Sequence, residues 1–171
     1  PLEVGARYTY EGLTVEDDGT EVPHTVIIHA TGLTKMIGGV ESIVSWDLDY
    51  SDGELVEAEL AFFAQDNDGN VWRMGEFPVE YDGGRIIDAP AWIHGVEGAL
   101  AGIMMQAAPQ TDSMDYAQGW GPAVGWTDRG KVDAINLEQC VPLDCYSGVL
   151  VVAETSASEP ERPHQAAHRP D

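Results

Sequence analysis

The clearest pattern in the chain is an alternation of apolar and polar residues from Ser42 to Tyr50. A period of two predicts a β-strand with one apolar and one polar face. We expect the apolar face of this strand to pack on a core, and it carries Val44, Trp46, Leu48 and Tyr50. Further strands are predicted where short apolar or alternating runs end at turn residues. These runs are Arg7–Glu11, His24–Thr31, Arg85–Ile87, Lys131–Leu137 and Tyr146–Glu154.

Two glycine-containing turns join three consecutive strands into hairpins. Ser51–Gly53 predicts a three-residue loop, which would place Asp47 opposite Glu57. Asn67–Gly69 predicts a second tight turn, because its glycine adopts the left-handed conformation and the aspartate before it tolerates the bend. With these registers, one continuous apolar face runs across the three strands.

The succession of strands and turns predicts a mainly β fold with little helix. Glycines and prolines interrupt residues 89–109, and we expect one helical turn near Val96–Met105. The length suits a single domain, which we place at residues 1–155. Residues 156–171 have little to bury and predict a flexible tail. The expected architecture is an antiparallel meander that forms a sandwich or a curved partial barrel.

The net charge of the chain limits the classes of molecule that it can bind. The 171 residues include 30 acidic and eight basic side chains, for a formal net charge of −22. Such a surface repels nucleic acid and anionic membranes. It is typical of a solubilising surface, and it is also compatible with cation binding. No apolar run approaches the roughly 20 residues of a transmembrane helix.

The two cysteines, Cys140 and Cys145, enclose a four-residue segment. This spacing favours a small disulfide-closed loop in an oxidising compartment over two free thiols. It does not form a zinc site by itself, because only two thiols and no nearby histidine are present.

The segment from Ala64 to Glu76, with the motif Ala-Gln-Asp-x-Asp-Gly-Asn-Val-Trp-x-x-Gly-Glu, resembles a known group of sequences. The motif is similar to the central hairpin of a family of uncharacterised secreted bacterial proteins and lipoproteins. Weaker similarities extend the resemblance to roughly Gly5–Glu154. They are Asp52–Glu57, Trp92-x-x-Gly95-x-x-Gly98-Ala99, Gly102-Ile103-x-Met105 and Tyr116-x-Gln118.

The chain departs from that family at Arg73-Met74, where two aromatic residues are usual, and at His94, where a small residue is usual. Family members also tend to continue with two more strands beyond the position of Thr155. The resemblance implies a β architecture and an extracytoplasmic location, either secreted or surface-anchored. It implies no activity.

Oxygen-bearing side chains in the same segment form a candidate calcium site. Asp66, Asp68, Asn70 and Glu76 offer the carboxylate and amide oxygens that calcium prefers. The loop is not an EF-hand, since Val71 stands where that motif requires glycine. We favour a plain hairpin turn over a calcium site, and the sequence indicates no cofactor other than this calcium candidate. The facing carboxylates of Asp47 and Glu57 are a second cation candidate, and a solvated acidic surface is favoured there.

Four residues in irregular, glycine-rich stretches form the candidate ligand site: Trp92, His94, Trp120 and Trp126. Tryptophans at the rim of a β scaffold stack on sugars or hold apolar ligands. The alternatives are ordinary packing for the tryptophans and an incidental loop position for His94. Trp46 and Trp72 are expected in the core.

No common catalytic motif is present in the sequence. We therefore predict an acidic, extracytoplasmic binding or accessory module for a small molecule, a glycan or a partner protein. One alternative is a cation-dependent enzyme that uses His94 with Asp or Glu side chains. The other is a structural or assembly subunit completed at an exposed sheet edge, where an oligomer would form.

Overall fold

The computed structural model describes residues 3–15, 18–156 and 164–168, the last segment as backbone only. The described residues form strands and loops, without a helix. The described part accordingly contains no helix of the length and apolarity needed to cross a membrane. The prediction of a mainly antiparallel β fold with little helix is confirmed.

The described residues contain thirteen strands, several of them long and some of only two residues. They are β1 (Arg7–Val15), β2 (Glu21–Ile37), β3 (Val40–Ser51), β4 (Glu54–Gln65), β5 (Val71–Asp82), β6 (Arg85–Asp88), β7 (Trp92–Ile93), β8 (Leu100–Met105), β9 (Tyr116–Ala117), β10 (Gly119–Trp120), β11 (Arg129–Cys140), β12 (Cys145–Thr155) and β13 (His164–His168).

The strands group into two compact units. The first consists of the described residues up to Ala64 together with Met74–Gly95. The second consists of Gln65–Arg73 together with the described residues from Val96 onward. The single domain expected at residues 1–155 stays a prediction.

The first unit is built on an antiparallel meander in the order β1-β2-β3-β4-β5, with β6 and β7 pairing to the other side of β5. This curled meander corresponds to the curved partial barrel among the two predicted forms. Pro78 lies on β5 between the residues paired with β7 and those paired with β6. Proline has no backbone N–H to donate, so it is tolerated where the partner strand is interrupted.

The β3–β4 hairpin differs from the predicted three-residue loop. Ser51 pairs with Glu54, so the turn contains only Asp52 and Gly53, which have φ values of 49° and 80°. Positive φ at both central residues is the requirement of a type I′ turn, the turn that best matches strand twist.

An irregularity between Asp49 and Tyr50 then shifts the β3–β4 register once more. As a result Asp47 lies opposite Glu59, and the predicted pairing of Asp47 with Glu57 is wrong. Beyond the irregularity the two shifts add up to two residues, so each side chain there keeps its predicted face although its partner changes. Between the turn and the irregularity the shift is one residue, so Leu55 lies opposite Tyr50 in place of the predicted Glu54.

The core of the meander occupies only part of the predicted apolar face. Val44 and its partner Phe62 are buried there. The prediction that Trp46 is a core residue is wrong, since 43% of its surface is exposed. On the opposite face of the same strands, Ser45 and its partner Ala61 are fully buried. Burial therefore changes along the strands as well as between faces.

The turn at Asn67–Gly69 forms as predicted. The backbone N–H of Asp66 donates to the carbonyl of Asn70 at 3.0 Å, which closes a three-residue loop. Gly69 has φ 97°, a conformation that favours glycine.

In the second unit, the first residues of β5 pair with β8, and β8 pairs with β10. The helical turn expected near Val96–Met105 is therefore wrong, because Leu100–Met105 is a strand held on both sides. Gly102 permits this arrangement, since a Cβ there would lie 2.2 Å from the backbone nitrogen of Gly119.

A second sheet in this unit has the order β13-β12-β11-β9. The expected disulfide is present, and it joins Cys140 and Cys145 directly across the β11–β12 hairpin. Within the segment predicted as a flexible tail, residues 164–168 form β13 beside β12. Residues 157–163 and 169–171 of that tail lie outside the described residues.

Candidate ligand-binding face

A row of four directly opposed residues crosses the meander of the first unit. Arg7 on β1 lies opposite His29 on β2, His29 lies opposite Trp46 on β3, and Trp46 lies opposite Leu60 on β4. Directly opposed residues share one face of a sheet, with Cβ atoms about 5 Å apart. We call these four residues the Trp46 row.

The Trp46 row is open to solvent on an apolar part of the sheet. Trp46 is 43% exposed and Leu60 is 39% exposed, while Arg7 is also exposed and His29 is half-buried. The His29 and Trp46 rings are stacked, with centroids 5.4 Å apart and planes inclined by 25°. This stack holds the indole against its neighbour while leaving much of it accessible.

The next row along the same face contains no charged side chain. It consists of Thr9, Ile27, Leu48 and Ala58, each directly opposite the next. The three residues on β2, β3 and β4 are half-buried. The two rows together define what we call the open face.

The other face of the same strands carries the carboxylates. Asp49 lies opposite Glu57, as Asp47 does opposite Glu59. His24 Nε2 is 3.3 Å from Asp49 Oδ1. Burial raises the pKa of Asp49, and the nearby His24 acts in the opposite direction. The strand alternation thus separates an acidic face from the open face.

Two of the predicted ligand-binding residues lie in the first unit. Trp92 is only 4% exposed, which leaves little of the ring for a ligand. The backbone N–H of His94 donates to the carbonyl of Met74 at 2.9 Å. The His94 ring lies against Gly38, where a Cβ would be 2.8 Å from His94 Cδ2.

The other two predicted ligand-binding residues lie in the second unit. Trp120 on β10 is 45% exposed. Trp126 is half-buried, and the Arg73 guanidinium lies 5.3 Å from the centre of its ring. A β-bridge to Gly121 positions Trp126 at the end of its loop. The four predicted residues are thus divided between the units, two in each.

Two of the predicted calcium ligands, Asp68 and Asn70, donate hydrogen bonds to the carboxylate of a third, Asp66. Asp66 accepts hydrogen bonds from the backbone N–H groups of Asp68 and Asn70, from Asn70 Nδ2 and from Trp72 Nε1, at 2.8–3.0 Å. The hydrogen bonds from Trp72 and Asn70 are the main reason that the pKa of Asp66 is lowered to about 2. These donors occupy the oxygens that a cation would need. Asn70 also accepts a hydrogen bond from the backbone of Ala107 at 2.9 Å.

The fourth predicted calcium ligand, Glu76, is buried on β5 in the first unit. Among the described residues, no group of three or more His, Cys, Asp or Glu side chains could hold a metal ion. Calcium binding and the cation-dependent enzyme remain untested predictions.

The residues of the Trp46 row were absent from the predicted site. Their alignment depends on an irregularity between Ala30 and Thr34, which shifts the β2–β3 register by two residues. Without that shift, the Gly38–Gly39 turn would place His29 opposite Leu48. The local signal for it is Gly32, which has φ 70°.

No family model, curated protein or solved structure matches this chain. The resemblance to secreted bacterial proteins and lipoproteins therefore remains a prediction based on the hairpin motif.

Proposed function

We propose that the protein is a ligand-binding module and that the open face binds a flat ring, either of a small molecule or of a glycan unit. The observation that carries this proposal is the exposure of Trp46 on a regular sheet, with Leu60 beside it and His29 stacked against it. Indole surface in water is unfavourable by about 25 cal/mol per Å² of apolar area, so a ligand that covers it gains this free energy.

The sheet also lowers the entropic cost of binding. Trp46 and Leu60 lie in the middle of paired strands, and the stack with His29 restricts the indole before a ligand arrives. A pre-ordered site loses less conformational entropy on binding than a mobile loop does. A location outside the cytoplasm is part of the proposal, and the disulfide between Cys140 and Cys145 supports it.

Isothermal titration calorimetry with two uncharged probes tests the proposal. The probes are a glucose hexasaccharide, which presents sugar rings, and N-phenyl-1-naphthylamine, which presents aromatic rings. We expect at least one of them to bind the wild type. Trp46→Ala should weaken that binding by about tenfold or more, because the stacking surface is lost.

Trp120→Ala is the matched control, since the two tryptophans have nearly equal exposure, 43% and 45%, and lie in different units. This variant should bind like the wild type. Equal binding by wild type and Trp46→Ala would show that the open face is not the site. Loss of binding in Trp120→Ala alone would move the site to the region predicted from the sequence.

Assembly at a sheet edge is a second candidate, favoured by the position of β1. Among the described residues β1 pairs only with β2, so its other edge lacks a strand partner. Tyr10, Leu13 and Val15 on this strand are exposed. An unpaired apolar edge can accept a strand from another chain.

Native mass spectrometry tests this second candidate. A dimer that Leu13→Lys dissociates would favour assembly through β1. A monomer at micromolar concentration would exclude self-assembly.

A further inference from the structure

Arg7 adds a cationic end to the Trp46 row. It is exposed and lies directly opposite His29. Among the described residues Arg7 has no carboxylate partner, although acidic residues outnumber basic ones by 30 to eight. Arg129 shows the contrasting case, because it pairs with Asp115 and holds the pKa of that carboxyl below its usual range.

The open face next to Arg7 carries no carboxylate, although Glu3 lies four residues before Arg7, in the turn where the Ala6 N–H donates to the Glu3 carbonyl at 2.9 Å. None of the eight residues of the open face is a carboxylate. Glu11 is on the same side of β1 but four residues away, which is about 13 Å along an extended strand. That distance exceeds the Debye length of about 8 Å at physiological ionic strength. The carboxylates of β3 and β4 point to the other face.

We infer that the ring bound by the open face carries a carboxylate, with the ring on Trp46 and the carboxylate on Arg7. This inference rests on the function proposed above and specifies the class of ligand. Arg7 and Trp46 stand on strands separated by one other strand, about 10 Å apart. An arginine side chain spans much of that distance, and a carboxylate attached to a six-membered ring spans the rest.

Arginine is the suitable side chain for this recognition. Its planar guanidinium donates two parallel hydrogen bonds to a carboxylate, which gives both strength and orientation. The indole of Trp46 requires only a flat apolar surface. A uronic acid unit of a glycan and a free aromatic acid both combine these two features, so the shared chemistry is a ring carboxylate.

Two matched pairs of probes test this inference and separate its two sources. A glucuronic acid hexasaccharide is compared with the glucose hexasaccharide, and 1-naphthoate is compared with 1-naphthamide, at physiological ionic strength. We expect the charged member of one pair to bind about tenfold more tightly than its neutral partner. A preference within the hexasaccharide pair would identify the ligand as a sugar acid, and a preference within the naphthalene pair would identify it as an aromatic acid.

Arg7→Gln should abolish the preference, so that the charged and the neutral probe of the pair bind this variant with equal affinity. Arg85→Gln is the control for net charge. Arg85 is exposed on β6, and its replacement by glutamine removes the same single positive charge. It should keep the preference. Circular dichroism of both variants checks that they fold.

The outcomes separate this inference from the proposed function. Equal affinity for charged and neutral probes, with Trp46→Ala weakening both, would overturn the carboxylate inference and leave the binding module standing. A preference that persists in Arg7→Gln would also overturn it. If no probe binds in a Trp46-dependent way, the proposed function itself is wrong.

Discussion

Asp49 and Glu57 lie directly opposite each other on β3 and β4, with their carboxylates on the same face of the sheet. Like charges in this position are destabilising. Because burial places the folded-state pKa of Asp49 above its unfolded value, the stability that it contributes is complete at low pH. That stability is lost as the pH rises through the folded pKa.

Asp49→Asn should therefore stabilise the protein at neutral pH, by about 0.5 kcal/mol in the free energy of unfolding. The gain should disappear near pH 3, where carboxylates are protonated. Urea unfolding at both pH values measures the difference. Glu54→Gln removes one charge from the same hairpin at an exposed position, and it should have little effect. Destabilisation by Asp49→Asn at neutral pH would show that the contact with His24 outweighs the repulsion.

Asp66→Asn should lower the melting temperature above pH 4, since the charged carboxylate accepts hydrogen bonds from Trp72 and Asn70. Its folded-state pKa is about 2, below the ordinary value of 3.8, so this contribution is present above pH 4 and is lost between about pH 4 and pH 2. Calorimetric melting curves from pH 2 to pH 7 should converge for wild type and variant at the acid end.

Asp68→Asn is the control for this measurement, since only the backbone N–H of Asp68 contacts Asp66. Its melting curves should follow the wild type across the range. If the difference in melting temperature between wild type and Asp66→Asn stayed constant down to pH 2, the Asp66 charge would not be the source of the stabilisation.

Gly75→Ala should lower the free energy of unfolding of the protein by about 2 kcal/mol. Gly75 has φ 151°, and a Cβ there would lie 2.5 Å from the carbonyl oxygen of Trp92 and 2.8 Å from Ile93 Cα. Backbone atoms cannot move aside as a flexible side chain can, so the variant must strain or lose the β5–β7 pairing. Thermal or urea unfolding measures the loss. Gly12→Ala, where no atom lies within 4 Å and φ is not positive, should be much milder.

Replacing both Cys140 and Cys145 by serine should lower the free energy of unfolding by about 2 kcal/mol, because the disulfide restricts the unfolded chain by closing a short loop. The hairpin keeps the hydrogen bond from the Val141 N–H to the Asp144 carbonyl at 2.9 Å, so the loss should be limited. Urea unfolding gives the free energy, and hydrogen exchange should rise in β11 and β12. A variant as stable as the oxidised wild type would mean that the disulfide does not restrain unfolding.

Much of the fold could be predicted because its signals are local. The alternation from Ser42 to Tyr50 identifies β3, and the glycine of Asn67–Gly69 identifies the turn before β5. The strands after Ala89 were harder to predict, since Leu100–Met105 is short and contains Gly102, which allows β8 and the backbone of Gly119 to lie close together. This contact between two strands cannot be read from the sequence of β8 alone.

The candidate site could not be predicted in the same way. Alternation correctly placed Trp46 and Asp47 on opposite faces, but it does not state which part of a face is covered. Coverage depends on segments distant in sequence, and it buries Trp92 while leaving Trp46 exposed. The burial of these two tryptophans is therefore the reverse of what the sequence predicts.

By itself, the sequence determined most of the long strands, the positions of the glycine turns between them and the alternation of two faces along each strand, because these follow from a period of two and from the φ angles that glycine allows. Only the tertiary structure decided which residues meet. The irregularity between Ala30 and Thr34 shifts the β2–β3 pairing by two residues, and the shortened turn and the irregularity between Asp49 and Tyr50 together shift the β3–β4 pairing by two residues from the predicted register. They bring Arg7, His29, Trp46 and Leu60 into one row. A pairing register is a relation between strands, and one strand's own sequence does not contain it.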